Sequence, residues 1–168
     1  LVGSEMCKET VVIALTGSNG KTSTKDLLHA ILAPVGETIA PVGSRNNELG
    51  LPLTVLELTE TTRFLVLEMG ARGIGHISHL TDIARPDVSV VLNVGSAHVG
   101  EFGGVENIAR AKGELVEALE ESGTAVLNAD DARVKAMGTR TRAHLAHFSL
   151  NDCSAEAYAD HVRLDALA

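Results

Sequence analysis

The stretch that decides the fold is Val11-Val12-Ile13-Ala14-Leu15-Thr16-Gly17-Ser18-Asn19-Gly20-Lys21-Thr22-Ser23. It begins with five apolar residues in a row, which is typical of a parallel strand buried on both faces. The two glycines and the helix expected to follow can turn backbone N–H groups toward one point, an arrangement that binds phosphate. Lys21 adds a positive charge, and Thr22 adds a hydroxyl suited to Mg²⁺. We therefore expect residues 17–23, the P-loop, to bind a nucleotide, with Mg-ATP as the ligand.

The P-loop departs from the usual G-x-x-x-x-G-K-[ST] spacing, because Leu15 stands five positions before Gly20. The shorter spacing still leaves a strand, two glycines, Lys21, Thr22 and a helix start in the order that phosphate binding requires. The alternative is an ordinary glycine turn in front of a helix N-cap.

Outward from the P-loop, strand-like and helix-like segments alternate along the chain. Strands are predicted at 11–15, 38–42, 64–67, 88–92, 124–127 and 145–148, and helices at 22–32, 52–58, 74–83, 106–121 and 132–137. In the first helix, Leu27, Leu28, Ile31 and Leu32 should form the buried face. The alternation predicts an α/β fold, a mostly parallel sheet with helices on both faces.

Polar residues stand where several predicted strands end: Glu68, Asn93 and Asn128. In open parallel sheets ligands bind outside these carboxyl ends, so the side chains should share a crevice with the P-loop. Glu68 ends a fully apolar strand, where a carboxylate needs a cation or hydrogen-bond donors. We expect it to be a Mg²⁺ ligand, with a helix cap or a surface acid as the alternative.

Lys112 lies on the apolar stripe of the predicted helix 106–121, four residues after Ile108 and four before Val116. A lysine on the core side is costly unless it is paired, deprotonated or modified. The alternative is a side chain that extends to solvent at the edge of the stripe.

Three further sets of polar residues lie in loops. Asn46 and Asn47 are expected in a turn by default, with substrate contact as the alternative, because their loop follows a strand end. His98 lies in a loop that leaves a strand, where a lone histidine is usually solvated. Asp130 and Asp131 precede a helix and could be N-caps.

Composition excludes several classes of protein. The 168 residues carry a net charge of −8, which disfavours a nucleic-acid partner. No apolar run reaches the ~20 residues of a membrane span, so we expect no membrane association. Cys7 and Cys153 are isolated, which favours a reduced, cytoplasmic protein without a cysteine metal site. We also expect a monomer.

Several of these segments together resemble the Mur ligase family. Residues 16–23 are similar to its shortened P-loop, 45–54 to its asparagine-rich substrate loop, and 67–71 to its metal-ligand strand. Residues 93–98, 111–114 and 128–131 match three more blocks, and the likeness spans residues 10 to 150. Within the family, Glu68-Met69-Gly70-Ala71 and Ala111-Lys112-Gly113-Glu114 are most similar to the enzyme that adds D-Ala-D-Ala.

The resemblance implies a role for each matching residue. Gly17, Ser18, Asn19, Gly20, Lys21, Thr22, Ser23 and Asn128 would bind ATP, with Lys21 on the transferred phosphate. Thr22 and Glu68 would hold one Mg²⁺. His98 and Lys112, the lysine carbamylated by CO₂, would hold a second, and Lys21, Lys112 and His98 would be the catalytic residues. Asn46 and Asn47 would face the substrate.

The resemblance also implies the reaction and its partners. ATP would phosphorylate a carboxylate of UDP-N-acetylmuramoyl-tripeptide, and the amine of D-Ala-D-Ala would displace the phosphate in peptidoglycan precursor synthesis. We expect residues 1–168 to be one central ATP-binding domain that lacks the family's N-terminal UDP-sugar domain and C-terminal domain. Alternatives are another Mur-type ligase, a folylpolyglutamate synthase-like ligase, or a nucleotide-binding regulator of the P-loop class.

Overall fold

A computed structural model describes residues 10–95 and 99–162 of the chain. Seven strands form one sheet in the order β2-β3-β1-β4-β5-β6-β7. Every pairing between neighbouring strands is parallel. The strands are β1 Val11–Thr16, β2 Thr38–Ile39, β3 Phe64–Glu68, β4 Val88–Val91, β5 Thr124–Asn128, β6 His144–Ser149 and β7 Ala157–Tyr158.

The helices are α1 Lys21–Leu32, α2 Gly50–Val55, α3 His76–Ile83, α4 Val99–Phe102, α5 Val105–Glu117 and α6 Ala132–Ala136, followed by a 3-10 turn at Met137–Arg140. The predicted α/β fold is confirmed. β7 and α4 were not predicted, because a two-residue strand and a four-residue helix leave no periodic signal. Helix α5 ends at Glu117 rather than at Glu121, and β2 is shorter than predicted.

The sheet order places α1 opposite the other long helices. The connection from β1 to β2 crosses β3 in one direction, whereas the connection from β3 to β4 crosses β1 in the other. Because such crossovers are right-handed, α1 covers one face of the sheet and α3 the opposite face. Helices α3 and α5 pack against each other and cover the main apolar core, which includes Leu65, Leu67, Ile77, Ile108 and Leu115.

The buried face predicted for α1 is wrong in part. Leu28 and Leu32 are half-buried, but Leu27 and Ile31 are 64% and 66% exposed. The buried residue of this helix is instead Lys25, which lies three residues before Leu28 and so shares its side of the helix. The side of α1 that packs on β1, β2 and β3 is therefore the one that carries Lys25, Leu28 and Leu32 rather than Leu27 and Ile31.

None of the helices among the described residues has the length and apolar character needed to cross a membrane.

Glu114 of α5 joins the two core helices. Its side chain is 7% exposed, and its two carboxylate oxygens accept the N–H groups of Gly75 and Ser78 at 2.6 and 3.0 Å. These amides lie at the N-cap and in the first turn of α3, where a negative charge also complements the helix dipole. In the sequence Glu114 stands two residues after Lys112, and this position does not indicate the capping role.

We expect Glu114→Gln to lower the free energy of unfolding by about 1–2 kcal/mol, since the single amide oxygen can accept only one of the two N–H groups and the new NH₂ group faces the other donor. Urea unfolding of the 168-residue chain measures the change. Glu120→Gln, on an exposed ion pair with Arg85, is the matched control and should change stability by less than about 1 kcal/mol. Equal effects of the two substitutions would contradict the capping role.

Candidate nucleotide-binding site

Two glycines shape the P-loop for separate reasons. Gly20 has φ of 82°, a conformation that other residues adopt only with strain, and it directly precedes α1. A Cβ on Gly17 would lie 2.9 Å from Cβ of Leu92, so only glycine lets β1 leave the sheet beside β4. The turn that results aims the start of α1 at the space above the carboxyl ends of the strands.

The first turn of α1 presents unused hydrogen-bond donors. Among the described residues, no acceptor bonds the N–H groups of Lys21, Thr22 or Ser23, and the helical pattern begins with the N–H of Thr24 bonded to the carbonyl of Gly20. Lys21 Nζ donates to the carbonyl of Gly17 at 2.9 Å, so the ammonium lies over the loop. Free amides and an ammonium at one helix start form an anion site.

Glu68, Thr22 and Asn46 meet above the end of β3. Thr22 Oγ1 donates to Glu68 Oε2 at 2.9 Å, and Asn46 Nδ2 donates to Glu68 Oε1 at 2.6 Å. The backbone carbonyl of Asn46 also accepts the N–H of Gly70 at 2.8 Å. The structure thus joins the predicted metal pair and one of the two predicted substrate residues in a single network.

The surroundings of Glu68 suit a hard cation. The residue is 1% exposed, and no basic side chain among the described residues forms an ion pair with its carboxylate. Its partners are neutral donors, which leave the charge of a buried carboxylate uncompensated. Residues 10–95 and 99–162 contain no group of three acidic, histidine or cysteine side chains able to hold a metal alone. Thr22 and Glu68 therefore fit Mg²⁺ that takes its other ligands from phosphate and water.

Asn47 has a local role that its sequence position predicts. Its Oδ1 accepts the N–H groups of Leu49 and Gly50 at 3.2 and 2.8 Å, in front of α2. This is the turn role expected of asparagine by default. Asn47 also lines the same cavity as Asn46, so contact with a bound substrate stays a prediction.

Lys112 is buried, at 5% exposure, as its position on the apolar stripe indicates. Burial, with a further contribution from the positive charge of Lys21, lowers the pKa of Lys112 to about 8. Both lysines line a cavity of about 290 Å³, together with Asn46, Arg72, His76 and Phe102. The neutral amine is roughly 300-fold more abundant at pH 7 than for an ordinary lysine.

Asn128 and Asp131 bond the backbone of the segment that follows β4. Asn128 Nδ2 donates to the carbonyl of Leu92 at 2.8 Å, and Asp131 Oδ2 accepts the N–H of Val94 at 2.7 Å. Asp131 is also the N-cap of α6, as expected. The predicted contact of Asn128 with nucleotide is not tested by these bonds.

Asp130 is not a cap. It accepts hydrogen bonds from the backbone N–H of Leu150 and the hydroxyl of Ser149, and these donors lower its pKa.

His98, predicted as a metal ligand and catalytic residue, lies outside the described residues.

Lys25 is a buried group that sequence reasoning missed. It is 2% exposed, and its ammonium donates to the carbonyls of Pro41 and Gly43 at 2.6 and 3.0 Å and lies 2.9 Å from Asp26 Oδ1. It thereby fastens α1 to the loop that leads to Asn46. The available signal was its spacing from Leu28 and Leu32, which places it on the same side of the helix.

The fold and the site define an α/β domain with a P-loop. The chain belongs to the Mur ligase family: the family's middle domain matches residues 15–166. A UDP-N-acetylmuramoyl-tripeptide–D-alanyl-D-alanine ligase from Mycobacterium tuberculosis is 54% identical over 157 residues, which are 94% of this chain and 31% of that protein.

Solved structures agree with this assignment. MurF from Acinetobacter baumannii superposes with a TM-score of 0.88 at 35% identity, over 95% of this chain and 35% of that one. MurF from Thermotoga maritima, solved in complex with ADP, gives 0.79 at 38% identity, over 86% and 34%. The chain spans about a third of the length of the curated relatives it matches first.

Proposed function

We propose that this chain is the central ATP-binding domain of an ADP-forming ligase that joins D-Ala-D-Ala to UDP-N-acetylmuramoyl-tripeptide. The observation that carries the proposal is the juxtaposition of the P-loop, the Thr22–Glu68 pair and the buried Lys112 at one edge of the sheet. The names of the relatives support the choice of substrates. A folylpolyglutamate synthase-like ligase has less support, since the FolC structure is only 18% identical. Family membership favours a ligase over a nucleotide-binding regulator.

The described residues would bind the nucleotide by its phosphates. The free amides at the start of α1 and the ammonium of Lys21 would hold the β- and γ-phosphates. Thr22 and Glu68 would hold Mg²⁺, which neutralises phosphate charge when bound. Asn46 would keep the Glu68 carboxylate in place through its hydrogen bond.

The reaction proposed is transfer of the γ-phosphoryl group to a carboxylate. A carboxylate oxygen of the tripeptide attacks phosphorus, the bond to the β-phosphate oxygen breaks, and ADP leaves. The amine of D-Ala-D-Ala then attacks the acyl carbon, phosphate departs, and the amine gives up a proton. Lys21 would stabilise charge on the transferred group, which is the main task of proteins that catalyse phosphoryl transfer.

Lys112 and His98 complete the proposal. The neutral amine of Lys112 would attack CO₂, forming a carbamate with loss of a proton from nitrogen. The low pKa of Lys112 supports this step, because only the neutral amine reacts. The carbamate would give oxygen ligands, and His98 a nitrogen ligand, for a second Mg²⁺. Finally, we propose a cytoplasmic monomer, in which the exposed thiol of Cys153 stays reduced.

Two measurements test the proposal. Calorimetry of the 168-residue chain should detect binding of ADP with Mg²⁺, and absence of binding or a preference for GDP would contradict a ligase domain. In the longer protein proposed here, phosphate release should require both UDP-N-acetylmuramoyl-tripeptide and D-Ala-D-Ala. Ligation by the 168-residue chain alone would refute the claim that further domains are needed.

Mg²⁺ is expected to tighten ADP binding, and we expect Glu68→Gln to reduce that gain in affinity about tenfold. A neutral amide replaces the charged ligand but keeps its shape. Titration of ADP at a series of Mg²⁺ concentrations measures this. Binding without Mg²⁺ should change little, and Glu120→Gln should behave as the unchanged chain does. An unaltered Mg²⁺ dependence would remove Glu68 from the metal site.

A further inference from the structure

We propose that Asn93 is a positioning residue that fixes the backbone of the P-loop through its side chain. The inference rests on the proposed function in so far as the loop binds nucleotide phosphates. Asn93 lies two residues beyond the end of β4, and β4 is the neighbour of β1 in the sheet. Its side chain is therefore adjacent to the point where β1 enters the loop.

The side chain of Asn93 makes three hydrogen bonds to two successive residues of the loop. Its Oδ1 accepts the N–H groups of Ser18 and Asn19, both at 3.0 Å, and its Nδ2 donates to the carbonyl of Asn19 at 3.1 Å. The backbone carbonyl of Asn93 accepts the N–H of Ser18 as well, at 3.1 Å. An amide side chain supplies both an acceptor and a donor, and this pattern needs both.

A second contact fastens the same two loops. Ser18 Oγ accepts the N–H of Gly95 at 2.8 Å. The segment 92–95 is held from its other side by Asn128 and Asp131, at the exit of β5. The segments that follow β1, β4 and β5 are thus linked by hydrogen bonds between side chains and backbone, and we call this set of bonds the frame of the P-loop.

These bonds divide the donors of the P-loop into two sets. The N–H groups of Ser18 and Asn19 are directed to Asn93, whereas those of Lys21 and Thr22 have no acceptor among the described residues. A bound phosphate would therefore meet the helix start rather than the tip of the loop.

Amide hydrogen exchange tests the frame directly and without nucleotide. In the 168-residue chain, the N–H groups of Ser18 and Asn19 should be protected. Asn93→Ala should remove that protection, and Asn93→Asp should keep most of it, because a carboxylate still accepts both N–H bonds although it cannot donate to the carbonyl of Asn19. The control Asn151→Ala, in the exposed turn after β6, should change neither amide. Unprotected amides in the parent chain, or protection that survives Asn93→Ala, would overturn the proposal.

Nucleotide binding gives the second readout. Asn93→Ala should weaken ADP binding about tenfold by freeing the loop. Asn93→Asp should weaken it as well, but through repulsion of the phosphates, so its deficit should shrink as salt is raised. A purely structural residue would show no such salt dependence. If the alanine variant fails to fold, the exchange of the Ser18 and Asn19 amides in the parent chain decides, and unprotected amides there would overturn the proposal. Failure of the parent chain to bind ADP would instead count against the proposed function, and the exchange result would still decide the role of Asn93.

Discussion

Replacing Lys21 with alanine is expected to weaken ADP binding by about 1.5–3 kcal/mol, which is roughly 10- to 150-fold in Kd. The ammonium lies over the P-loop, 2.9 Å from the carbonyl of Gly17, where it can reach a phosphate held by the amides of α1. The net charge of −8 repels an anionic ligand, so local positive groups must supply the attraction. Calorimetry with ADP and Mg²⁺ measures the loss.

The matched control is Lys135→Ala, which removes the same charge from an exposed position of α6. It changes the net charge by the same amount as Lys21→Ala. The control therefore distinguishes the loss of a contact between lysine and phosphate from the effect of overall charge on ADP binding. The control should change Kd by less than about threefold at physiological salt. Equal losses for the two variants, or an unchanged Kd for Lys21→Ala, would contradict the assignment of the P-loop.

The part of the site that could be predicted lies within continuous segments. Residues 11–23 specify a buried strand, a glycine loop and a helix start by local chemistry, and the structure shows all three. Glu68 ends an apolar strand, and the carboxyl ends of parallel strands lie at the same edge of a sheet. Its position therefore predicts that Glu68 is near the P-loop. The hydrogen bond from Thr22 to Glu68 confirms that nearness.

The face of α1 could not be predicted, because it depends on what surrounds the helix. Leu27 and Ile31 have the spacing of a buried stripe but are exposed, while Lys25 is buried against the carbonyls of Pro41 and Gly43. Periodicity reports a stripe of apolar residues, not the side from which other elements cover it. Lys25 can be buried on this side of the helix because backbone carbonyls accept its hydrogen bonds.

The role of Asn93 depends on strand order, which periodicity does not determine. Its bonds to Ser18 and Asn19 join residues 75 and 74 positions apart, because β4 lies directly beside β1. The sequence shows only that Asn93 follows a strand. Glu114 is missed for the same reason, since its bonds to the start of α3 require α3 and α5 to be neighbours.

Lys112→Met in the longer ligase proposed here is expected to lower the ligation rate roughly 100-fold or more, the scale of removing a group that stabilises transition-state charge. Methionine keeps an unbranched apolar stem but cannot form a carbamate. Added bicarbonate should therefore not restore activity. Lys135→Met, on an exposed helix, is the control and should leave the rate unchanged. A normal rate for Lys112→Met, or rescue by bicarbonate, would remove the carbamate from the mechanism.

The same substitution should have the opposite effect on the stability of the 168-residue chain. Folding lowers the pKa of Lys112 from 10.5 to about 8, so the folded state disfavours the proton. Below pH 8 the buried ammonium destabilises the fold fully, by an amount on the order of 3 kcal/mol. The cost falls as pH rises from 8 to 10.5 and is absent above that range.

Lys112→Met should therefore be more stable than the parent chain at pH 7 and nearly equal to it at pH 10.5. Urea unfolding at both values measures the difference, and Lys135→Met should show none at either pH. Bicarbonate near pH 8 should stabilise the parent chain but not the variant, because only an amine can bind CO₂. A variant that is less stable at pH 7 would mean that the side chain of Lys112 serves the fold. A variant that is more stable and inactive would mean that the chain carries a costly buried lysine for its chemistry.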